Sequence, residues 1–279
     1  MGTAAHSPPL VRLAVIGATG RMGQALLRAA PAFAQIIVTS ALASPQSLAL
    51  GRDAGALAGL GASNLIVTSD LAAALSQADV AVDFSHAQAT AASLAACRAA
   101  GKPLLIGTTG LDAALEPALT AAAREIALLV AANTSVAVAV LTELVRESAR
   151  ALPASFDIDV IETHHRTKQD APSGTALALG RTAAAARGLP VPAAGTAGPS
   201  GVAGGRPEGQ VGVASIRAGD VVGEHTVLFS GPGEQLAITH RAYERGIFAR
   251  GALTAALWLV AQPPGRYAMR DFIGYKTLV

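Results

Sequence analysis

The pattern of apolar and polar positions changes near residue 134. Leu10-Val11-Arg12-Leu13-Ala14-Val15-Ile16 is a short, mostly apolar run that stops at Gly17, as a parallel strand buried on both faces does. Similar runs predict strands at 35–42, 80–84, 104–107 and 126–131. Alanine-rich helical segments lie between them, after the glycine loop to about residue 30 and at 87–100 and 111–124. Strands alternating with helices predict an α/β, doubly wound parallel sheet.

Beyond Asn133 the pattern differs. A helix at 136–151 leads into Phe156-Asp157-Ile158-Asp159-Val160, which alternates with period two. A second helix follows at 174–187, and 188–209, rich in Gly, Pro and Ala, reads as a long loop. Alternating runs at 210–217, 224–230 and 235–240 have no helix between them and predict an antiparallel or mixed sheet. The last amphipathic segment, 246–261, is a helix that could return to the first part. A chain of 279 residues is near the practical limit of a single core, roughly 250–300 residues, so two lobes are expected.

Composition narrows the function classes. Hydrophobic residues reach 51%, swollen by alanine, with a net charge of +2, which is the opposite of a disordered chain. The pI near 9.0 looks basic, but 21 cations against 19 anions cannot form a phosphate-binding stripe, so no nucleic-acid partner is expected. No apolar run approaches the roughly 18 residues of a membrane helix; the longest is Ala252 to Ala261, so no membrane partner is expected. Cys97 stands alone, which excludes an internal disulfide and a cysteine metal site. Met1 to Pro9 has no charged segment followed by an apolar one; it reads as a flexible leader rather than a secretory signal, and the cytoplasm is the expected location.

The first chemical signal is Gly17-Ala18-Thr19-Gly20-Arg21-Met22-Gly23, between the first strand and the first helix. Gly17 permits a tight turn, Gly20 lets backbone approach a phosphate, and Gly23 lets the helix pack on the strand; the helix N-terminus favours a pyrophosphate. The spacing is a variant of the usual dinucleotide fingerprint, and the bland alternative is a simple strand-to-helix turn. The acidic residue expected after the second strand is missing: Leu42 is followed by Ala43 and Ser44. Ser44, Arg21 or Arg52 could meet a 2′-phosphate, and the choice between NADH and NADPH stays open. Gly107-Thr108-Thr109-Gly110 and Ala131-Ala132-Asn133-Thr134 lie at carboxyl ends of predicted parallel strands, where open α/β sheets bind ligands, although ordinary turn chemistry explains each alone.

The densest constellation is Glu162-Thr163-His164-His165-Arg166-Thr167-Lys168-Gln169-Asp170-Ala171-Pro172-Ser173-Gly174-Thr175, which follows a strand and runs into a helix. Ser173 can cap that helix, whose first N–H groups belong to Gly174 and Thr175. An anionic group resting there would have Lys168 or a histidine as proton donor. The bland alternative is a capped helix behind a solvated loop. Zinc is a third reading, with His225 and His240 joining, but adjacent His164 and His165 point to opposite sides of a strand, so no metal is expected.

Together these motifs, with Asp83-Phe84-Ser85, Ile106-Gly107-Thr108-Thr109-Gly110, Arg217-Ala218-Gly219-Asp220, Gly223-Glu224-His225-Thr226 and the tail through Trp258, resemble the 4-hydroxy-tetrahydrodipicolinate reductase (dihydrodipicolinate reductase) family over nearly the whole chain. The resemblance implies a Rossmann-type domain from 1–134 and 243–279, with an inserted α+β substrate and oligomerisation domain at 135–242. It implies NAD(P)H-dependent reduction, with loss of water, of a cyclic dicarboxylate in the diaminopimelate route to lysine, by a homotetramer. His164 would be proton donor and acceptor and Lys168 a proton donor. His165, Ser173, Gly174 and Thr175 would bind substrate. Gly17, Ala18, Thr19, Gly20, Arg21, Met22, Ser44, Gly107, Thr108, Thr109, Ala131, Ala132, Asn133 and Thr134 would bind NADPH or NADH. Many members carry Glu-Arg at Ala43-Ser44, Phe at Thr134, and Gly and Asn at Ala137 and Ala139. A related dehydrogenase of small amino or keto acids and a non-catalytic nucleotide sensor are the rival readings; the first has no reason to keep the histidine–lysine block beside Ser173-Gly174-Thr175.

Overall fold

The structure, a computed structural model, describes residues 10–190, 206 and 208–274. The first half runs β1 (Val11–Ile16), α1 (Arg21–Ala29), β2 (Ile36–Leu42), α2 (Ala54–Leu57), β3 (Val67–Thr68), α3 (Leu71–Ser76), β4 (Val80–Asp83), α4 (Ala87–Ala99), β5 (Leu104–Ile106), α5 (Glu116–Ala122) and β6 (Ala127–Val130). Then come α6 (Val136–Ala151), β7 (Asp157–His164), α7 (Gly174–Arg187), β8 (Val211–Arg217), β9 (Gly223–Gly231) and β10 (Glu234–Ala242), followed by α8 (Gly246–Leu259), β11 (Gly265–Tyr267) and α9 (Met269–Phe272). Two compact units result, one running to Ser135 and resuming at Gly246–Phe272, the other spanning Val136–Arg245.

The first unit is a seven-stranded sheet in the order β11-β6-β5-β4-β1-β2-β3, parallel at every pairing. Strand order reverses between β1 and β4, the switch point at which open α/β sheets bind ligands. The central strands are apolar on both faces because helices cover both. Leu104, Ile106 and Leu128 join Leu75, Leu94 and Leu119 on one side. Leu105 and Leu129, one residue out of step, point to the other, where α8 packs along β4, β5 and β6 beside α1.

The second unit is a four-stranded sheet, order β10-β9-β7-β8, in which β7 pairs parallel with β8 and antiparallel with β9. One face closes on α6 and α7, with Ile158, Val160, Val213, Val227 and Phe229 against Leu141, Val145 and Leu179. The architecture is the Rossmann-type sheet plus separate mixed sheet that the pattern predicts.

Three details differ from the sequence expectation. β7 continues through His164 rather than stopping at Val160, because its inward positions become Glu162 and His164 and the hydrophobic alternation ends before the strand does. The predicted helix at 111–124 is a 3-10 turn, Ala113–Leu115, followed by the shorter α5, which starts with Pro117 in its first turn. The short elements α2, β3, α3, β11 and α9 carry no readable period; Asp53 and Asp70, which cap α2 and α3, are their only local marks. Most of the predicted 188–209 loop, like the 1–9 leader, lies outside the described residues.

Leu105 has no solvent exposure in the first unit, which also holds the single tryptophan, Trp258. Leu105→Ala should destabilise that unit by about 2–5 kcal/mol, read as a lower urea midpoint of Trp258 fluorescence with an unchanged slope.

Candidate active site

In the first unit the chain leaves β1 at Gly17, whose N–H donates to Leu42 O at 2.9 Å; Ala18 N–H donates to the same carbonyl at 2.8 Å. Gly17 has φ +81°, and a Cβ there would meet Phe84 O at 2.6 Å and Ser85 Cα at 2.9 Å. At Gly23 a Cβ would run into Gly17 O and the Ala18 backbone. Two of the three glycines are therefore imposed by the close approach of α1, the loop and the end of β4. Gly20 precedes α1 with no side-chain cap, and the first turn carries no acidic residue, so the positive helix end is left for another anion.

Around this loop sit the ends of β4, β5 and β6. Asp83 is fully buried; its Oδ1 accepts from Ser85 N–H at 2.8 Å and Thr108 Oγ1 at 3.3 Å, and its carbonyl accepts from Gly107 N–H at 2.9 Å. The Phe84 ring lies over Gly107 so closely that no side chain fits. Among the described residues Asp83 Oδ2 and Ser85 Oγ are buried without a partner, hydrogen-bonding capacity that a ligand at the switch point can use. Glycine cradle, uncapped helix end and unused polar atoms fit a dinucleotide. Thr108 is buried and Thr109 exposed, while Ala131 N–H is spent on Ile106 O at 2.9 Å. Asn133 Oδ1 accepts from Ser135 N–H at 2.8 Å, and Thr134 Oγ1 donates to Phe248 O at 2.7 Å. After β2, Ser44 Oγ donates to Gln46 Oε1 and accepts from Gln46 N–H at 3.2 Å, in a turn with no carboxylate of the usual ribose-binding kind.

In the second unit the polar constellation is built on β7. Residues 162 and 164 point the same way off the strand, so Glu162 and His164 face inward together. Glu162 has no solvent exposure. Its Oε2 is in hydrogen-bond contact with His164 Nδ1 and accepts, at 2.9 Å, from an Arg217 guanidinium nitrogen; its Oε1 accepts from the other Arg217 nitrogen at 2.9 Å and from Ser173 N–H at 3.1 Å. Burial pushes this carboxyl up, but the hydrogen bonds from Arg217, His164 and Ser215 outweigh it and hold it at about 2. It is an anion at every physiological pH.

His164 is only 8% exposed, and burial pushes its imidazole below its usual range against the pull of Glu162, with Lys168 and Arg217 adding to the depression. Its Nε2 faces Gly223, where a Cβ would come within 3.0 Å. His225 stacks edge-on against it at 5.1 Å and shares a 3.0 Å hydrogen bond between its Nε2 and Ser173 Oγ. Ser173 also caps α7 by accepting from Ala176 N–H at 3.2 Å, so Gly174 and Thr175 open that helix beside the imidazoles. Lys168 Nζ donates to both Asp170 oxygens, at 2.7 and 2.9 Å. His165 turns away to Thr167 Oγ1 at 2.7 Å and the Arg245 guanidinium at 3.2 Å.

The structure thus gathers His164, Ser173 and the start of α7, and keeps Lys168 four residues further along the same loop. Among the described residues no group of three His, Cys, Asp or Glu is arranged to hold a metal ion. From the residues alone His225 enters only as a candidate zinc ligand and Glu162 has no role of its own, although the two-residue spacing from Glu162 to His164 on a strand signals a shared face.

Two family models, described as dihydrodipicolinate reductase N-terminus and C-terminus, match residues 11–134 and 137–273. The chain belongs to the dihydrodipicolinate reductase family. It is 48% identical over 263 residues to a protein of Alkalilimnicola ehrlichii named 4-hydroxy-tetrahydrodipicolinate reductase, covering 94% of this chain and 98% of that one. A Rhodopseudomonas palustris protein of the same name is 46% identical over 268 residues, covering 96% and 99%. Among solved structures, a dipicolinate-bound dihydrodipicolinate reductase from a Paenisporosarcina species shares the fold with a TM-score of 0.74 at 22% identity, over 93% of this chain and 97% of that one. As a dihydrodipicolinate reductase family member the chain keeps the uncharged Ala43-Ser44 pair in place of an acidic ribose anchor.

The buried histidines carry a stability cost in acid. Burial first, then the neighbouring His164, pushes His225 down to about 4, so the unfolded chain binds its proton before the folded one does. Its contribution is complete above about pH 6.5 and is lost as pH falls through about 4, up to roughly 3 kcal/mol. Urea unfolding followed by circular dichroism between pH 7 and 4 should show that loss, and His225→Gln should shrink it.

Proposed function

We infer that the chain catalyses the NAD(P)H-dependent reduction of 4-hydroxy-tetrahydrodipicolinate to tetrahydrodipicolinate with loss of water, in the diaminopimelate route to lysine. The observation that carries this reading is the imidazole of His164, neutral and backed by an ionised Glu162, set beside the N-terminus of α7 in a member of this family matched over 11–134 and 137–273. The parallel-sheet unit holds the nicotinamide cofactor through Gly17 to Met22, Gly107 to Thr109 and Ala131 to Thr134, with Ser44 towards the adenosine end. When bound, the cofactor supplies the hydride.

The second unit binds the substrate and moves protons. The Gly174 and Thr175 end of α7, with Ser173 as its cap and His165 nearby, receives a ring carboxylate. A dicarboxylate ring is also what the Paenisporosarcina reductase is named as binding. Neutral His164 accepts at Nε2 the proton from the carbon beside the hydroxyl-bearing one, and the Lys168 ammonium protonates the departing hydroxyl, which leaves as water. The resulting imidazolium is stabilised by Glu162. After reduction at the neighbouring carbon, His164 returns its proton to the carbon it came from, and Lys168 regains one from solvent, so one proton is consumed overall. A cytoplasmic homotetramer completes the reading; no helix among the described residues is long and apolar enough to cross a membrane.

The test is loss of nicotinamide absorbance with substrate generated in situ from pyruvate and aspartate semialdehyde. Oxidation of both NADH and NADPH that depends on substrate supports the reading, because Ala43-Ser44 supplies no carboxylate to repel a 2′-phosphate. Cofactor binding without oxidation, or oxidation only with other amino or keto acids, overturns it. His164→Gln and Lys168→Met should each lower kcat by about 100-fold or more with cofactor Kd nearly unchanged.

Because the proton acceptor is neutral His164, kcat/KM should hold through pH 6.5 and fall on further acidification, as the depressed imidazole takes up its proton. A fall that begins well above pH 6.5 contradicts that assignment.

A further inference from the structure

Both Glu162 oxygens are engaged by groups of the second unit, His164, Arg217, Ser173 and Ser215. A fully buried carboxylate is a costly way to occupy a strand position, since a well-packed apolar residue is often as stable or more so. What an apolar residue does not provide is a fixed arrangement of protons. The two Arg217 nitrogens and Ser173 N–H are obligate donors. They leave the carboxylate acceptor-only, and an acceptor opposite His164 Nδ1 requires the proton on Nδ1.

We propose that Glu162, clamped by Arg217, is a positioning residue that holds His164 in the Nδ1–H form, directs the Nε2 lone pair outward, and through Ser173 ties that imidazole to the end of α7. The proposal rests on the role given to His164 above. Gly223 keeps the outward nitrogen clear: any side chain there would press on Nε2. The other charged or titratable groups facing this knot do not offer a competing acceptor to Nδ1. Arg217 comes from β8, and His225 from β9 is turned to Ser173, with His240 of β10 opposite it in register. Lys168 and Asp170 in the following loop are paired with each other.

Glu162→Gln tests this, because an amide has only one oxygen. Two obligate donors, Ser173 N–H and one Arg217 nitrogen, point at the Oε1 position against one, the other Arg217 nitrogen, at Oε2, so the carbonyl oxygen settles at Oε1 and the NH₂ takes the place of Oε2. That NH₂ then donates to His164 Nδ1 and forces the proton to Nε2, the wrong tautomer for accepting one.

Nitrogen-15 NMR of the full-length chain at pH 8, with the His164 signals identified by their loss in His164→Gln, reads the tautomer without requiring turnover. The expected result is Nδ1–H in the native chain and Nε2–H in Glu162→Gln. With it, kcat should fall by about 100-fold or more, while substrate KM and cofactor Kd change by less than about threefold. Should Glu162→Gln fail to fold, the native spectrum still decides the tautomer, and Glu162→Asp, which keeps the charge at shorter reach, should retain Nδ1–H. An Nε2–H signal in the native chain, or an unchanged tautomer with unchanged kcat in Glu162→Gln, overturns the proposal. If the native chain binds cofactor but does not turn over this substrate, the functional reading fails while the tautomer is decided on its own.

Discussion

An ionised carboxylate with no access to water is the constraint around which the second unit is arranged. Left alone in the interior, Glu162 would cost several kcal/mol even after the surroundings relax. The fold meets this by bringing donors from three parts of the chain: His164 two residues along β7, Ser215 and both outer nitrogens of Arg217 from β8, and the backbone of Ser173 before α7. Each partner thereby acquires a fixed place. β8 must lie parallel beside β7 to deliver Arg217, and Ser173, rather than a residue earlier or later, must be the cap of α7. Loss of one partner would leave a buried charge unbalanced, at a cost of about 3–5 kcal/mol.

The same constraint decides which groups are available for chemistry. His164 is held neutral by burial yet has an anion in place to stabilise it once charged, which suits the role proposed for it of taking and returning a proton. Lys168 stands in contrast. Its partner Asp170 has a side chain 63% exposed, and ion pairs with so exposed a member are worth about 1 kcal/mol or less, so little holds the ammonium in that pair. His225, neutral and buried, contributes shape and a hydrogen bond to the cap rather than charge.

The parallel sheet was legible because its central strands are apolar on both faces and its helices are alanine-rich. The glycine loop was legible for a geometric reason: at Gly17 and Gly23 the backbone of another segment occupies the space of a side chain, so the residue type itself records the packing. The histidine–lysine block showed as chemistry, and as a family resemblance, before any contact was known. The roles of Glu162 and His225 were hidden because they depend on Arg217 and Ser173, far away in sequence, arriving at the same place. The extent of β7 was hidden for a related reason, since buried polar residues erase the alternation by which strands are recognised. The short elements from α2 to α3 hold too few residues to establish a period.

The central claim is that the buried carboxylate is bare and the proton lies on His164 Nδ1. Neutron diffraction from deuterated crystals of the full-length chain near neutral pH observes this directly. The account predicts a deuteron on His164 Nδ1, none on His164 Nε2 and none on either oxygen of Glu162. A deuteron on Glu162, or a bare Nδ1 beside it, would contradict it.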